Sequence, residues 1–259
     1  MALFGKKKGL VGVDIGSSAI KVVELKQGGK GGAEYQLVNI GIEPLPPEAI
    51  VDGAIMDSGA VIDAIQRLFG AQKIKTSDVA TSVSGNAVIV KKISLPQMTP
   101  EELQESIHWE AEQYIPFDIQ DVAIDYEVIE GSGSGGNMDV LLVAVKKDKI
   151  SDYTSAITQA GKSPQVVDVD VFALQNCYEI NYGVDPGRVT ALLNVGASIM
   201  NINIVKGGSS IFNRDIAVGG NQYTDAVQKE LNLSFDQAEA LKRGGRVEGV
   251  ASDNLHPIL

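Results

Sequence analysis

The chain has 259 residues and carries 33 acidic against 22 basic side chains, a net charge of −11. That length suits one large or two moderate domains, and a hydrophobic content of 44% supports a full core. The acidic balance argues against a nucleic-acid surface, the single Cys177 excludes an internal disulfide and fits a reducing cytoplasm, and two histidines without a cysteine cluster argue against zinc.

The one basic run, Lys6-Lys7-Lys8, lies in a short leader. Three lysines alone hold anionic lipid weakly, so a solvated tail is expected. No apolar run reaches the length of a membrane span, and the leader lacks the apolar core of a signal peptide. Residues 9–25, GLVGVDIGSSAIKVVEL, read as a buried strand, a tight Gly16-Ser17-Ser18 turn and a returning strand. Asp14 falls between two apolar residues, where a carboxylate is costly unless it faces a polar or charged site. Gly12 and Gly16 allow close approach of the backbone. The amides and hydroxyls of Ser17 and Ser18 suit phosphate oxygens, Asp14 suits magnesium held through waters, and Lys21 adds a positive charge. An ordinary hairpin with these residues in its turn accounts for the stretch equally well.

After the flexible QGGKGGA, residues 35–42 alternate as a third strand and give an antiparallel meander. A loop at Pro44, Pro46 and Pro47 leads to a helix over 58–69 and a strand over 78–83. The next region is a strand over 87–95, a helix from Thr99 to about Tyr114 with a Thr99/Glu102 capping box and Pro100 at its first position, strands over 122–129 and 139–145, and a helix over 148–160. Leu103, Ile107, Trp109, Glu110 and Tyr114 give the first of these helices a mixed face, and its aromatics are expected in the core. Together these elements form a β-α-β-β-α unit. A strand over 165–169 and an apolar helix over 171–180 follow, with Asp170 as its N-cap and Cys177 packed in the core. Residues 188–195 form a strand ending in Gly196-Ala197-Ser198, with strands over 199–205 and 210–216 behind it.

This last stretch repeats the first. TALLNVGASIMNINIVK matches GLVGVDIGSSAIKVVEL as an apolar strand, a polar residue, one apolar residue, Gly, a small residue, Ser and a returning strand. Two such turns, one from each of two similar domains, can hold the phosphates of a nucleotide from both sides.

With this duplication the chain resembles the actin-like ATPase superfamily, which includes FtsA, and within it the PilM family of type IV pilus assembly. LFGKKKGLVGVDIGSSAIKVVEL, SLPQMTPEELQESIHWEAEQYIPFDIQDVAIDYEVI and DVDVFALQNCYEINYG carry the resemblance, the Trp109–Phe117 string above all. It implies an α/β fold of two duplicated mixed-sheet domains with an inserted α+β subdomain in the first. The expected divisions are 1–86, 87–164 as the insert, 165–184 as a return to the first domain, and 185–259. It also implies that the second domain is incomplete in this chain, because the family's Gly-Gly turn under the adenine lies beyond Leu259.

The resemblance assigns ATP and Mg2+ as ligands. Asp14, Gly16, Ser17, Ser18 and Lys21 fall on the first phosphate loop, with Asp14 toward the metal. Asn194, Gly196, Ala197 and Ser198 fall on the second, and Gly219-Gly220 on the element behind it. Glu239 and Lys242 fall on a helix that contacts adenine and ribose; an exposed i,i+3 ion pair is the plainer reading of the same two residues. Asn194 stands where actin-like proteins usually carry Asp, so weaker metal holding or hydrolysis is expected, and at most a weak ATPase. The partner implied is the cytoplasmic N-terminal tail of the inner-membrane protein PilN, in a groove beside the insert, and through it the alignment complex and pilus motor. The protein is then cytoplasmic and reaches the membrane only through partners. A sugar-kinase-like phosphotransferase using Asp168 or Asp170 and an FtsA-like membrane-associated filament protein are the alternatives.

Overall fold

The computed structural model describes residues 9–28, 34–129, 135–250, 255 and 258. The Lys6-Lys7-Lys8 leader, the turn at 29–33 and most of the glycine-rich loop at 131–137 lie outside the described residues. In β1 (Val11–Ile15) alternate residues are buried, so Val11, Val13 and Ile15 enter the core while Gly12 and Asp14 face away. β2 (Ala19–Gly28) and β3 (Glu34–Pro44) complete the antiparallel meander.

A small ribbon follows, β4 (Ile50–Val51) and β5 (Ala54–Ile55), joined by Asp52-Gly53 with φ of 48° and 77°. Strands of two residues leave no alternation to detect, so only the Asp-Gly pair marked this turn in the sequence. α1 (Ser58–Ala71) starts at Asp57, whose carboxylate accepts the Ala60 N–H, and it buries Val61, Ile65, Leu68 and Phe69. β6 (Asp78–Val83) runs parallel to β1.

β7 (Val88–Pro96), α2 (Pro100–Glu112), β8 (Val122–Ile129) and β9 (Asn137–Lys146) build a separate sheet of order β7-β9-β8. The capping box of α2 forms as its sequence indicates, Thr99 bonding the Glu102 N–H and Glu102 the Thr99 N–H. Its buried stripe is Leu103, Ile107 and Ala111, at successive i+4 steps. Trp109 lies off that stripe and is 77% exposed, which corrects the expectation of a core aromatic. α3 (Lys147–Gln159) follows this sheet in the chain but packs elsewhere: Tyr153, Ala156 and Ile157 join the core formed by β1, β2, β6 and α1.

β10 (Ser163–Val169) pairs in parallel with β6 and completes a five-stranded sheet of order β10-β6-β1-β2-β3. α4 (Asp170–Tyr182) buries only Val171 and Gln175, one helical turn apart. Cys177 lies off that line and is exposed, so it is not the core residue that its apolar neighbours suggested. β11 (Val189–Val195), β12 (Met200–Lys206) and β13 (Ser209–Ile216) form the second antiparallel meander. α5 (Gly220–Leu231) and α6 (Phe235–Lys242) close a smaller core around Val227, Ala238 and Leu241.

α4 joins the two halves through a polar seam. The buried Asn203 donates to Val171 O and Gln175 Oε1, each at 3.1 Å, while Gln175 Nε2 donates to Gly208 O at 2.8 Å.

Candidate functional site

The two glycine turns have the same backbone. Gly16 N–H donates to Ala19 O at 3.1 Å, and Gly196 N–H donates to Ile199 O at 2.9 Å. Cross-strand register makes the match residue by residue: Asp14 faces Lys21 as Asn194 faces Asn201. In the first turn Lys21 Nζ donates to Asp14 at 2.7 Å, with both side chains about half exposed. Such an open pair contributes little to stability, so both groups are free to meet an incoming ligand. In the second turn Asn194 Nδ2 donates to Asn201 Oδ1 at 2.9 Å.

The two halves meet beside the second turn. A Cβ on Gly85, in the loop leaving β6, would stand 3.1 Å from Ile199 Cδ1, and one on Gly53 3.6 Å from the same atom. Ile199, directly after the second turn, therefore fills a notch made by two glycines of the first half. Asp215 on β13 accepts the Gly85 N–H at 2.7 Å across the same junction.

Asp170 sits at the bottom. It is the first residue of α4 rather than its N-cap, which is Val169. Its carboxylate accepts from Ser82 Oγ at 2.5 Å. Burial raises its pKa above the usual carboxylate range; hydrogen bonds from Ser82 and Ser84 oppose this, and the charges of Asp14 and Asp215 add to it. Asp170 lines a cavity of about 270 Å³ together with residues of both halves, Gly85, Asn86, Arg214 and Asp215 among others, so it lies between them. Asp168 faces elsewhere: it accepts its neighbour's Val169 N–H at 2.8 Å and borders a groove between β8 and β10.

The start of α5 is seated on the second turn. Gly220 N–H donates to Gly196 O at 2.9 Å and Asn221 N–H to Ala197 O at 2.8 Å. A Cβ on Gly219 would be 2.5 Å from Ala197 O, so only glycine fits there. Glu239 and Lys242 meet just behind. Lys242 Nζ lies 2.5 Å from Glu239 Oε2 and donates to Gly220 O at 2.9 Å and Thr224 Oγ1 at 2.8 Å. Thr224 and Arg243 also donate to Glu239. Burial works to raise the Glu239 pKa, but the bonds from Lys242, Thr224 and Arg243 outweigh it and bring it to about 2. The i,i+3 ion pair thus forms within α6, but it is largely buried rather than exposed, and the bonds to Thr224 and Gly220 O fasten α6 to α5.

Sequence reasoning missed Lys149, Ser82, Gly85, Asn201 and Asp215. Lys149 Nζ is buried, donates to Gly53 O and lies 3.0 Å from Tyr153 OH. Its pKa falls to about 8 through burial, with Asp170, Asp152 and Asp148 opposing. None of these residues carries a motif, because their roles come from chain segments far apart in sequence.

The donor set fits a polyphosphate with a hydrated cation. Two turns offer N–H and hydroxyl groups, Lys21 and the N-terminus of α5 offer positive ends, and Asp14 and Asp170 offer oxygens. Among the described residues no group of three or more His, Cys, Asp or Glu forms a metal cage.

Residues 12–258 match the family described as type IV pilus assembly protein PilM. Among solved structures, the chain is 28% identical to one in the PilM-PilN type IV pilus biogenesis complex, over 96% of this chain and 72% of that one, with a TM-score of 0.82. It is also similar to the ethanolamine utilization protein EutJ of Carboxydothermus hydrogenoformans, with 13% identity, 98% and 66% coverage and a TM-score of 0.56. MreB 5 of Spiroplasma citri bound to AMPPNP gives 13% identity, 98% and 74% coverage and a TM-score of 0.50. The last two similarities are of fold, and the fold is that of the actin-like ATPases.

Proposed function

The chain belongs to the type IV pilus assembly protein PilM family, and on that premise we propose that it is a nucleotide-binding scaffold of the pilus assembly machine. The observation that carries this reading is the pair of glycine turns, one in each half, that share the same backbone hydrogen bond and cross-strand register. ATP is the ligand: Gly16, Ser17, Ser18 and Lys21 meet its phosphates from one side and Gly196, Ala197 and Ser198 from the other, with Asp14 and Asn194 beside them toward the cation's waters. Gly219 and Gly220 bring the positive end of α5 toward the same charge. Mg2+ neutralises the phosphates when bound, with Asp14 facing its waters. Glu239 and Lys242 border the nucleoside side, where contact with adenine or ribose requires them to exchange present partners. Asn194 lacks the charge of an aspartate, so binding outweighs hydrolysis.

The partner is the cytoplasmic tail of PilN. The similar solved chain comes from a PilM-PilN complex. A groove of about 280 Å³ between β8 and β10 suits such a peptide, with Ile124, Tyr126, Val143, Val167 and Phe172 as apolar lining. Through PilN the protein joins the inner-membrane alignment complex and the motor. This agrees with the finding that, among the described residues, no helix is long and apolar enough to cross a membrane.

Calorimetric titration of Mg-ATP into the protein, beside an Asp14→Ala variant, tests the nucleotide half. Binding by the wild type that is at least tenfold weaker in the variant is expected; equal binding by both would remove the first turn from the site. Titration of a synthetic PilN-tail peptide into the wild type and a Val167→Asp variant tests the groove, and loss of binding in the variant alone is expected.

A further inference from the structure

Asn194, Asn201 and Asp215 form a chain of hydrogen bonds across the second sheet. Asn194 Nδ2 donates to Asn201 Oδ1 at 2.9 Å, and Asn201 Nδ2 donates to Asp215 Oδ1 at 2.8 Å. The other oxygen of Asp215 accepts the Gly85 N–H at 2.7 Å. An amide side chain reads nearly the same in either orientation, so its direction must follow from its partners. Here the direction is decided chemically. An ionised carboxylate only accepts, which forces Asn201 to point its N–H group at Asp215. Asn201 is 2% exposed, so its oxygen must then find a donor, and Asn194 supplies it. Asn194 is left with its own oxygen free toward the exposed side of the turn.

We infer that Asp215 is the positioning residue of the second turn: it sets the direction of this chain so that Asn194 presents an acceptor oxygen, not an N–H, to the ligand. That oxygen suits the water of a hydrated divalent cation and repels a bare phosphate oxygen. Asn194 therefore keeps the geometry of a carboxylate at this position while dropping its charge. Because Asp215 also holds Gly85, two residues after β6 ends and three before β7 begins, the same residue ties the turn to the root of the inserted sheet. The part concerning a cation rests on the nucleotide reading above; the direction of the chain does not.

Two measurements separate these. The first needs no nucleotide. Asn194→Asp alone sets a carboxylate against the oxygen of Asn201. Asp215→Asn alone replaces an acceptor-only group with one that also donates, so the whole chain of amides can turn over without losing a bond. Together they let Asn201 turn over and donate to the new carboxylate. Asn194→Asp should lower the urea midpoint of unfolding, Asp215→Asn should change it little, and the double variant should recover most of the Asn194→Asp loss. Strictly additive losses would overturn the proposal, because a merely structural role for each side chain predicts that result. The second compares ATP affinity with Mg2+ and with EDTA. Asp215→Asn should cut the gain from Mg2+ by about tenfold and leave the affinity in EDTA nearly unchanged. An unchanged Mg2+ gain beside a rescued double variant keeps the direction and removes the cation role. Absence of any ATP binding by the wild type removes the nucleotide reading, and the stability cycle alone then decides the direction.

Discussion

Lys149 shows how a single residue is determined by a partner far away in the chain. It is a buried cation held by one carbonyl, Gly53 O, and one phenol, Tyr153 OH. Burial lowers its pKa from 10.5 to about 8, so between those values the unfolded chain binds more protons than the folded one. Stability from this group therefore rises as pH goes from about 8 toward 10, and the burial penalty is fully present below pH 8. Urea midpoints measured from pH 7 to 10 should climb in the wild type and flatten in Lys149→Met. A second residue-scale case is Gly219, whose missing Cβ leaves room for Ala197 O at 2.5 Å. Gly219→Ala forces the second turn away from α5 and should cost about 1–3 kcal/mol in denaturant unfolding. Gly135, with nothing within 4 Å of a built Cβ, provides a contrast in packing, although its φ of 65° still favours glycine.

At the scale of elements, the helices are anchored by local chemistry that can be tested one end at a time. α2 and α6 each begin with a reciprocal capping box, Thr99 with Glu102 and Ser234 with Gln237. Thr99→Ala or Ser234→Ala leaves a first-turn N–H without its partner and should cost about 1 kcal/mol. α6 is further held to α5 through Glu239, whose pKa of about 2 lies below its ordinary 4.5. The sign follows: that contribution is complete above about pH 4.5 and is lost as pH falls toward 2. Amide hydrogen exchange should show α5 and α6 losing protection across that interval, and Glu239→Gln should remove most of the pH dependence. The sheets are less local. β11–β13 match β1–β3 in sequence, but β6 and β10 reach the first sheet only by parallel pairing across long connections.

For the whole molecule, the junction between halves is rich in polar contacts. Among the described residues it includes the Asn203–Gln175–Gly208 seam, the Tyr178–Thr190 hydroxyl contact, the Asp215–Gly85 bond and Ile199 in its glycine notch. Interfaces of this kind favour relative movement over fusion into one core. A nucleotide gripped by both turns is expected to shift that junction, and β7 would carry the shift toward the groove. The PilN-tail peptide should then bind at least several-fold differently with and without Mg-ATP. Equal affinity in both conditions would mean that the two sites are not coupled.

Apart from the short β4–β5 ribbon, the order of strands and helices was legible in the sequence, as were both glycine turns and the Thr99–Glu102 capping box. Each depends on neighbours within a few residues, and each leaves a period, a turn residue or a cap that local chemistry dictates. The 17-residue repeat also disclosed the duplication, because two copies of one pattern need no structure to be compared. What the sequence left open were residues whose meaning is set by distant partners. Trp109 and Cys177 have apolar neighbours in sequence, yet both face outward, because the buried stripe of each helix is chosen by the sheet it lies on. Asp170 reads as a cap but stands in the cleft, since Ser82 is 88 residues away in the chain and 2.5 Å away in space. Lys149, Asn201 and Asp215 belong to the same class. A buried polar group is defined by the partner that satisfies it, and only the tertiary structure supplies that partner.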